Sequence, residues 1–128
     1  MNKYLLDTHA LIWFLEGDNQ LSATAKGIIL DTGNQMYISI ASLWEMAIKI
    51  SIGKLTLTQS LDKIIERLPL EFIEILPLAT PHILAIQNLP FHHKDPFDRI
   101  IIAQTDAENL NIISIETIFD LYGVKRSW

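Results

Sequence analysis

The sequence contains no cysteine. That absence excludes a disulfide framework, thiolate zinc sites and cysteine nucleophiles, and it fits a reducing, cytoplasmic setting. Long apolar runs are missing as well: no uninterrupted stretch approaches the ~20 residues that a membrane span needs. Near the N-terminus, Asp7 and His9 interrupt the apolar residues and no small-residue cleavage site follows, so a signal peptide is not expected. Basic residues are outnumbered, 10 against 15 acidic ones, for a formal net charge of −5. A protein drawn to nucleic acid by bulk positive charge would look different. Carboxylates that hold divalent cations can still present positive charge to a phosphate, so metal-dependent phosphate chemistry stays open. Linkers, low-complexity stretches and internal repeats are also absent.

What remains is a chain of 128 residues, 49% hydrophobic and 20% charged. Those values fit one globular domain over residues 1–128, with roughly two thirds of the unfolded surface buried on folding. Tyr4-Leu5-Leu6 reads as a short strand, and the apolar-periodic Ala10 to Leu15 as a helix ending near Gly17. Ser22 can cap a second helix running to about Thr32, with Gly33-Asn34 as its stop. Met36 to Ile40 reads as a second strand. Helices are expected from Ser42 to about Ile52, from Ser60 to Leu68 and from Thr80 to Asn88. Phe72 to Ile75 reads as a third strand between the last two. Asp95 fits an N-cap and Pro96 a first helical position, for a helix reaching about Leu110. Asn111 to Ser114 reads as a late strand, and Ile118 to Leu121 as a short helical turn before Gly123.

Strands and helices therefore alternate, and the strands are apolar on both faces. The pattern implies an α/β fold whose parallel sheet is covered by helices on each side. Sites in such sheets form beyond the carboxyl ends of the strands. Four acidic residues are expected at that edge. Asp7 follows the first strand, Glu45 opens the helix after the second, Asp98 lies in a first helical turn, and Glu116 follows a late strand.

Each has a structural reading beside the functional one. Asp7 can cap the first helix. Ser42 to Glu45 matches a capping box, and Glu45 with Lys49 has the favourable i,i+4 orientation. A carboxylate at position 98 suits the helix dipole, and Glu116 can be an exposed loop residue. Convergence is what favours function. Two carboxylates ~4 Å apart repel by about 4 kcal/mol at an effective dielectric near 20. Such a group must bind protons or cations. Oxygen ligands without cysteine favour Mg²⁺ or Mn²⁺, which can activate water against a phosphodiester.

The segments Leu5-Leu6-Asp7-Thr8-His9-Ala10, Ser42-Leu43-Trp44-Glu45 and His93-Lys94-Asp95-Pro96-Phe97-Asp98-Arg99 leading to Ala103-Gln104 together resemble the PIN-domain family. The likeness is greatest to the VapC-type ribonuclease toxins of bacterial toxin–antitoxin pairs, and Phe119 to Val124 looks like the family's C-terminal signature. The resemblance implies a three-layer α/β/α fold with four or five parallel strands. It also implies Mg²⁺- or Mn²⁺-dependent RNA cleavage by water, an antitoxin partner and a homodimer. Carried over by position, Asp7 and Asp98 match the main metal ligands and Glu45 the central acidic residue. Glu116 falls where the family usually has Asp, after the small hydroxyl residue Ser114, and its longer reach bears on the second metal position.

Around this set, Asp95 is expected to cap its helix, with direct work at the site as the alternative. Thr8 can bond a neighbouring carboxylate or local backbone. Arg99 can contact phosphate or antitoxin, with a structural ion pair as the simpler reading. His92 and His93 are expected in a surface loop, and Asp120 in the last short helix. Trp13, Phe14 and Trp44 are expected in core packing. The tail Lys125 to Trp128 is expected to fray or dock locally. Two rival readings are a catalytically silent PIN-like interaction module and a phosphoacceptor signalling domain. The second would want adjacent carboxylates after the first strand and a lysine after a late one, and the sequence has neither.

Overall fold

The computed structural model describes residues 2–128. Five parallel strands form one sheet: β1 (Lys3–Leu6), β2 (Gln35–Ser39), β3 (Ile73–Leu76), β4 (Asn111–Ile113) and β5 (Arg126–Ser127), in the order β3-β2-β1-β4-β5. Helices α1 (Thr8–Glu16) and α2 (Ala23–Leu30) join β1 to β2, and α3 (Ile40–Ser51) and α4 (Leu61–Arg67) lead towards β3. Helices α5 (Thr80–Gln87) and α6 (Pro96–Ala107) make the return crossover to β4. Among the described residues, no helix is long and apolar enough to cross a membrane.

Alternation along the strands divides the interior in two. Tyr4 and Leu6, Met36 and Ile38, and Ile113 pack on one face with buried side chains of α1 and α2. Leu5 and Ile112 point the other way, against Ile100, Ile101 and Ile102 of α6 and against Phe119. A period of two on a sheet covered on both faces yields this partition and the three-layer α/β/α architecture. Each fully buried Leu or Ile contributes about 1.5–3 kcal/mol.

Several expected boundaries move. Ser39, not Ser42, caps α3, its Oγ accepting from the Ala41 N–H at 3.0 Å. The β2 strand accordingly stops one residue early, and Glu45 sits in the second helical turn, outside any capping box. The Ser42 hydroxyl is buried without a hydrogen-bond partner. Phe72 is not in β3: it ends a 3₁₀ turn with φ of 58°, a left-handed conformation in which its ring is 82% exposed. The α6 helix stops at Ala107, and Asn109 takes φ of 53° to turn the chain into β4. The tail docks rather than frays, since Arg126 and Ser127 pair with Ile112 and Ile113 as an edge strand. Trp13 and Phe14 are half-buried at the rim of the first core. Trp44 is not a core residue: it is 60% exposed and packs edge-on with the Phe97 ring, at a centroid distance of 5.3 Å.

The strand order reverses between β1 and β4. From β1 the chain moves outward to β2, and from β4 it moves the opposite way to β5. Connections diverging from two adjacent parallel strands leave a crevice beyond their carboxyl ends.

Candidate active site

Register determines what stands in that crevice. Leu6 pairs with Ile113, which brings the next residues, Asp7 and Ser114, abreast. The Asp7 N–H donates to the Ile113 carbonyl at 2.9 Å, so the backbone is still tied to β4 where the side chain turns to cap α1. One carboxylate oxygen accepts from the Thr8 N–H at 2.8 Å, and the other from Ser114 Oγ at 2.8 Å. Ser114 Oγ in turn accepts from the Glu116 N–H at 3.0 Å. Asp7 is almost wholly buried. Burial pushes its carboxyl above the usual range; the bonds from Ser114 and Thr8 and the charge of His9 oppose this, while Glu45 adds to it.

Asp98 arrives from the far end of the sequence. Asp95 caps α6 as expected, accepting from the N–H groups of Phe97 at 2.9 Å and Asp98 at 3.1 Å, and Pro96 takes the first helical position. This places Asp98 in the first turn, facing the crevice. Its carboxyl is pushed up to about 7, first by burial and then by the charges of Asp7 and Asp95; a hydrogen bond from His93 works against the rise. Asp7 and Asp98 therefore share one electrostatic neighbourhood although they are remote in sequence.

Glu45 completes the group from α3. Thr8 Oγ1 donates to its Oε1 at 2.8 Å, so the Thr8 hydroxyl serves a neighbouring carboxylate rather than backbone. Lys49 Nζ lies 2.9 Å from Glu45 Oε2, the pair expected one helical turn apart. The Lys49 ammonium is raised above its ordinary value, mainly by its bond to Glu45 and further by the charges of Glu45, Asp95 and Asp98. A single lysine thus faces several acids.

Glu116 lies at the same edge, just past β4, but its carboxylate is exposed and makes no hydrogen bond among the described residues. Among the described residues, no three carboxylate or imidazole groups stand close enough to enclose an ion. The donor set nevertheless fits a divalent cation. Asp7 and Asp98 offer carboxylate oxygens with raised carboxyls, and Lys49, which feels the charge of Asp98, is already engaged by Glu45. When both ionise, negative charge is left uncompensated, the condition a hard cation relieves.

Two expectations around the site, for His93 and Arg99, are corrected. His93 is not a plain loop residue: Nε2 lies 3.1 Å from Asp98 Oδ2 and Nδ1 lies 2.7 Å from the Tyr122 hydroxyl. His92 is exposed, as expected, with its ring against the edge of Tyr122. Arg99 forms no ion pair among the described residues. Only 4% exposed, it donates to the carbonyls of Pro90 at 2.7 Å and Leu89 at 3.1 Å and lies 4.0 Å over the Phe91 ring. A guanidinium spends its donors this way when a loop must close over it and buried carbonyls need partners. Asp120 pairs with Arg126 at 3.0 Å, fastening the tail. Tyr122 was missed because its part depends on a loop 29 residues away. The adjacency of His93 to Asp95-Pro96-Phe97-Asp98 was the available signal for the imidazole.

Comparison with known proteins places the chain in a wider group. No curated protein matches the chain. Among solved structures, the chain is similar to DNA-bound VapBC from Salmonella typhimurium, at 18% identity and a TM-score of 0.73, covering 99% of this chain and 98% of that one. VapBC2 from Rickettsia felis, bound to a promoter DNA fragment, matches at 16% identity and a TM-score of 0.71, over 98% and 97% of the two chains. FitAcB from Neisseria gonorrhoeae matches at 19% identity and 0.65, over 96% and 95%. Residues 4–125, which include Asp7, Glu45, Asp98 and Glu116, match the PIN domain family, and the chain belongs to it.

Proposed function

We propose that this chain is a divalent-metal-dependent endoribonuclease and the toxin of a toxin–antitoxin pair. The observation that carries the reading is the meeting of Asp7 and Asp98 at the switch point, both with raised carboxyls and each placed by a different element. Buried carboxylates are costly without a counter-charge, and they persist where function uses them. Membership of the PIN domain family and the fold shared with VapBC and FitAcB support a nuclease working with an antitoxin.

Asp7 and Asp98 would hold Mg²⁺ or Mn²⁺, with Glu45 and Glu116 completing the oxygen donors or orienting the attacking water. A bound divalent ion supplies positive charge against the phosphoryl oxygens and makes a water more acidic. The protein's part is to keep the oxygens in place. Ser114 and the Thr8 N–H immobilise Asp7, while the Thr8 hydroxyl and Lys49 immobilise Glu45. Asp95 sets the first turn of α6 and hence the direction of Asp98. No covalent nucleophile is required, since water attacks the phosphodiester. RNA is the proposed substrate, and a homodimer the proposed assembly. The antitoxin is expected to lay a basic side chain against the acidic edge, where negative charge is in excess.

A silent interaction module is favoured by one observation: among the described residues, no group of three or more His, Asp or Glu side chains stands ready to hold a metal ion. Cleavage of defined RNAs, with Mg²⁺ or Mn²⁺ titrated from zero after chelation, separates the two readings. The nuclease reading expects cleavage that rises with metal and is lost in Asp98→Asn. Equal activity in wild type and Asp98→Asn, or none in folded wild type at any metal concentration, overturns it.

A further inference from the structure

A tyrosine hydroxyl beneath the site carries information about its chemistry. The Tyr122 oxygen receives the backbone N–H of His93 at 3.2 Å and an Arg99 Nη1 hydrogen at 3.3 Å. Both partners can only donate, and a phenolic oxygen has two acceptor positions and one hydrogen. With both acceptor positions taken, the hydroxyl hydrogen has to point to its third neighbour, His93 Nδ1, at 2.7 Å. Nδ1 is then the acceptor nitrogen of the ring. The neutral imidazole carries its hydrogen on Nε2, which faces Asp98 Oδ2 at 3.1 Å. Three donors and acceptors, each with one role left, thus impose a direction on the chain from Arg99 through Tyr122 and His93 to the carboxylate.

The anchors at either end are firm. Arg99 is buried and its remaining bonds go to loop carbonyls, so its Nη1 cannot swing away. The imidazole is held from both sides, with its ring also against the edge of Tyr122 at 5.4 Å. Asp98 itself, in the first turn of a helix, would otherwise be free to turn about its side-chain bonds. An Nε2–H bond on one carboxylate oxygen stops that rotation and leaves the other oxygen for the crevice.

We propose that His93 and Tyr122 are positioning residues for Asp98: Tyr122 selects the imidazole tautomer, and His93 donates from Nε2 to hold one Asp98 oxygen so that the other is presented to the cation. The inference rests on the nuclease reading. Groups that orient metal-binding side chains commonly alter metal affinity or rate by about 10- to 100-fold when removed.

The test uses the full chain and Mn²⁺ alone as probe, with binding followed by calorimetry, RNA cleavage measured in parallel and melting temperature recorded for every variant. His93→Ala is expected to weaken Mn²⁺ binding and cleavage by about 10-fold or more. His93→Gln, whose amide nitrogen can stand where Nε2 stood, should recover to within about threefold of wild type. Tyr122→Phe removes one oxygen and lets the ring choose its tautomer, and a loss of about 3- to 10-fold is expected. Wild-type Mn²⁺ binding in both Tyr122→Phe and His93→Ala overturns the proposal. So does a glutamine variant no better than alanine while melting normally. Should His93→Ala fail to fold, Tyr122→Phe decides alone. Asp98→Asn is the reference: if it binds and cleaves as wild type does, the nuclease reading falls and the positioning role with it. Inactive Asp98→Asn beside unaffected His93 and Tyr122 variants removes the positioning role only.

Discussion

Asp7 and Asp98 carry the same functional group into the same crevice, yet they are held very differently. Asp7 grows out of the central strand of the sheet and has a donor on each oxygen, from Ser114 and from its own helix. Asp98 stands on the first turn of a helix, partly open to solvent, with one imidazole contact and a carboxyl pushed up to about 7. One carboxylate is built into the frame, and the other hangs on a single imidazole. The contrast teaches that the two can fail in different ways. Damage around Asp7 should be felt as lost stability as well as lost activity, whereas damage around Asp98 should be felt in cation binding and rate.

The largest expected effect breaks both at once. Asp98→Asn and Asp7→Asn should each lower RNA cleavage by about 100-fold or more, because each removes a charged ligand. Asp98→Asn keeps shape and helix position, so its melting temperature in the absence of metal should not fall. Melting curves beside cleavage assays check both halves, and a folded, fully active variant removes that residue from the mechanism.

Ser114→Ala comes next and sharpens the comparison on the Asp7 side. It strips a hydrogen bond from a buried carboxylate and leaves the Glu116 N–H without its acceptor. A loss of about 1–3 kcal/mol is expected in denaturant unfolding. Cleavage should fall with it, since Asp7 is then free to turn. Unchanged stability would mean that the frame holds Asp7 without this hydroxyl.

The Asp98 side is sharpened by pH. Both carboxyls have folded values above their unfolded ones. For Asp98, pushed up to about 7, the native state without metal keeps an extra proton from pH ~4 up to that value, and the rise at Asp7 acts in the same direction. Stability should therefore fall as pH rises through that window. A drop of roughly 5 °C in melting temperature between pH 5.5 and 7.5 is expected, smaller in Asp98→Asn and offset by Mn²⁺. A melting temperature that rises across this range in chelator would contradict the burial of these two groups as unpaired charges.

Glu116→Gln should have the smallest effect of the four. Its carboxylate is exposed and makes no hydrogen bond among the described residues, so a loss of about 3- to 10-fold in cleavage is expected, with stability unchanged. A loss as large as that of Asp98→Asn would make it a full partner of the buried pair.

Much of this was legible in the chain itself. The alternation of short apolar strands with helices identified the α/β class, because a parallel sheet covered on both faces needs that alternation. Asp95, Pro96 and Asp98 occupy their expected places because capping is decided within a few residues. Where local signals competed, tertiary context won. Ser39 took the cap expected of Ser42, and Glu45 was carried into the second turn, where Thr8 and Lys49 hold it. Arg99 was expected in a structural ion pair, with phosphate or antitoxin as the alternative, but it bonds the carbonyls of the loop that encloses it. The roles of His93 and Tyr122 depended on a contact between segments far apart in sequence.

Residue type and spacing by themselves determined the class of fold, the helix that presents Asp98 and the acidic character of one sheet edge. These follow from periodicity, capping and the placement of strand ends, all of which act over short stretches of chain. Only the tertiary structure decided that Asp7 meets Ser114, that Asp98 is governed by His93, and that Glu116 stands apart. Those outcomes depend on strand register and loop closure, where a shift of one residue exchanges the buried and exposed faces and moves every side chain in the crevice.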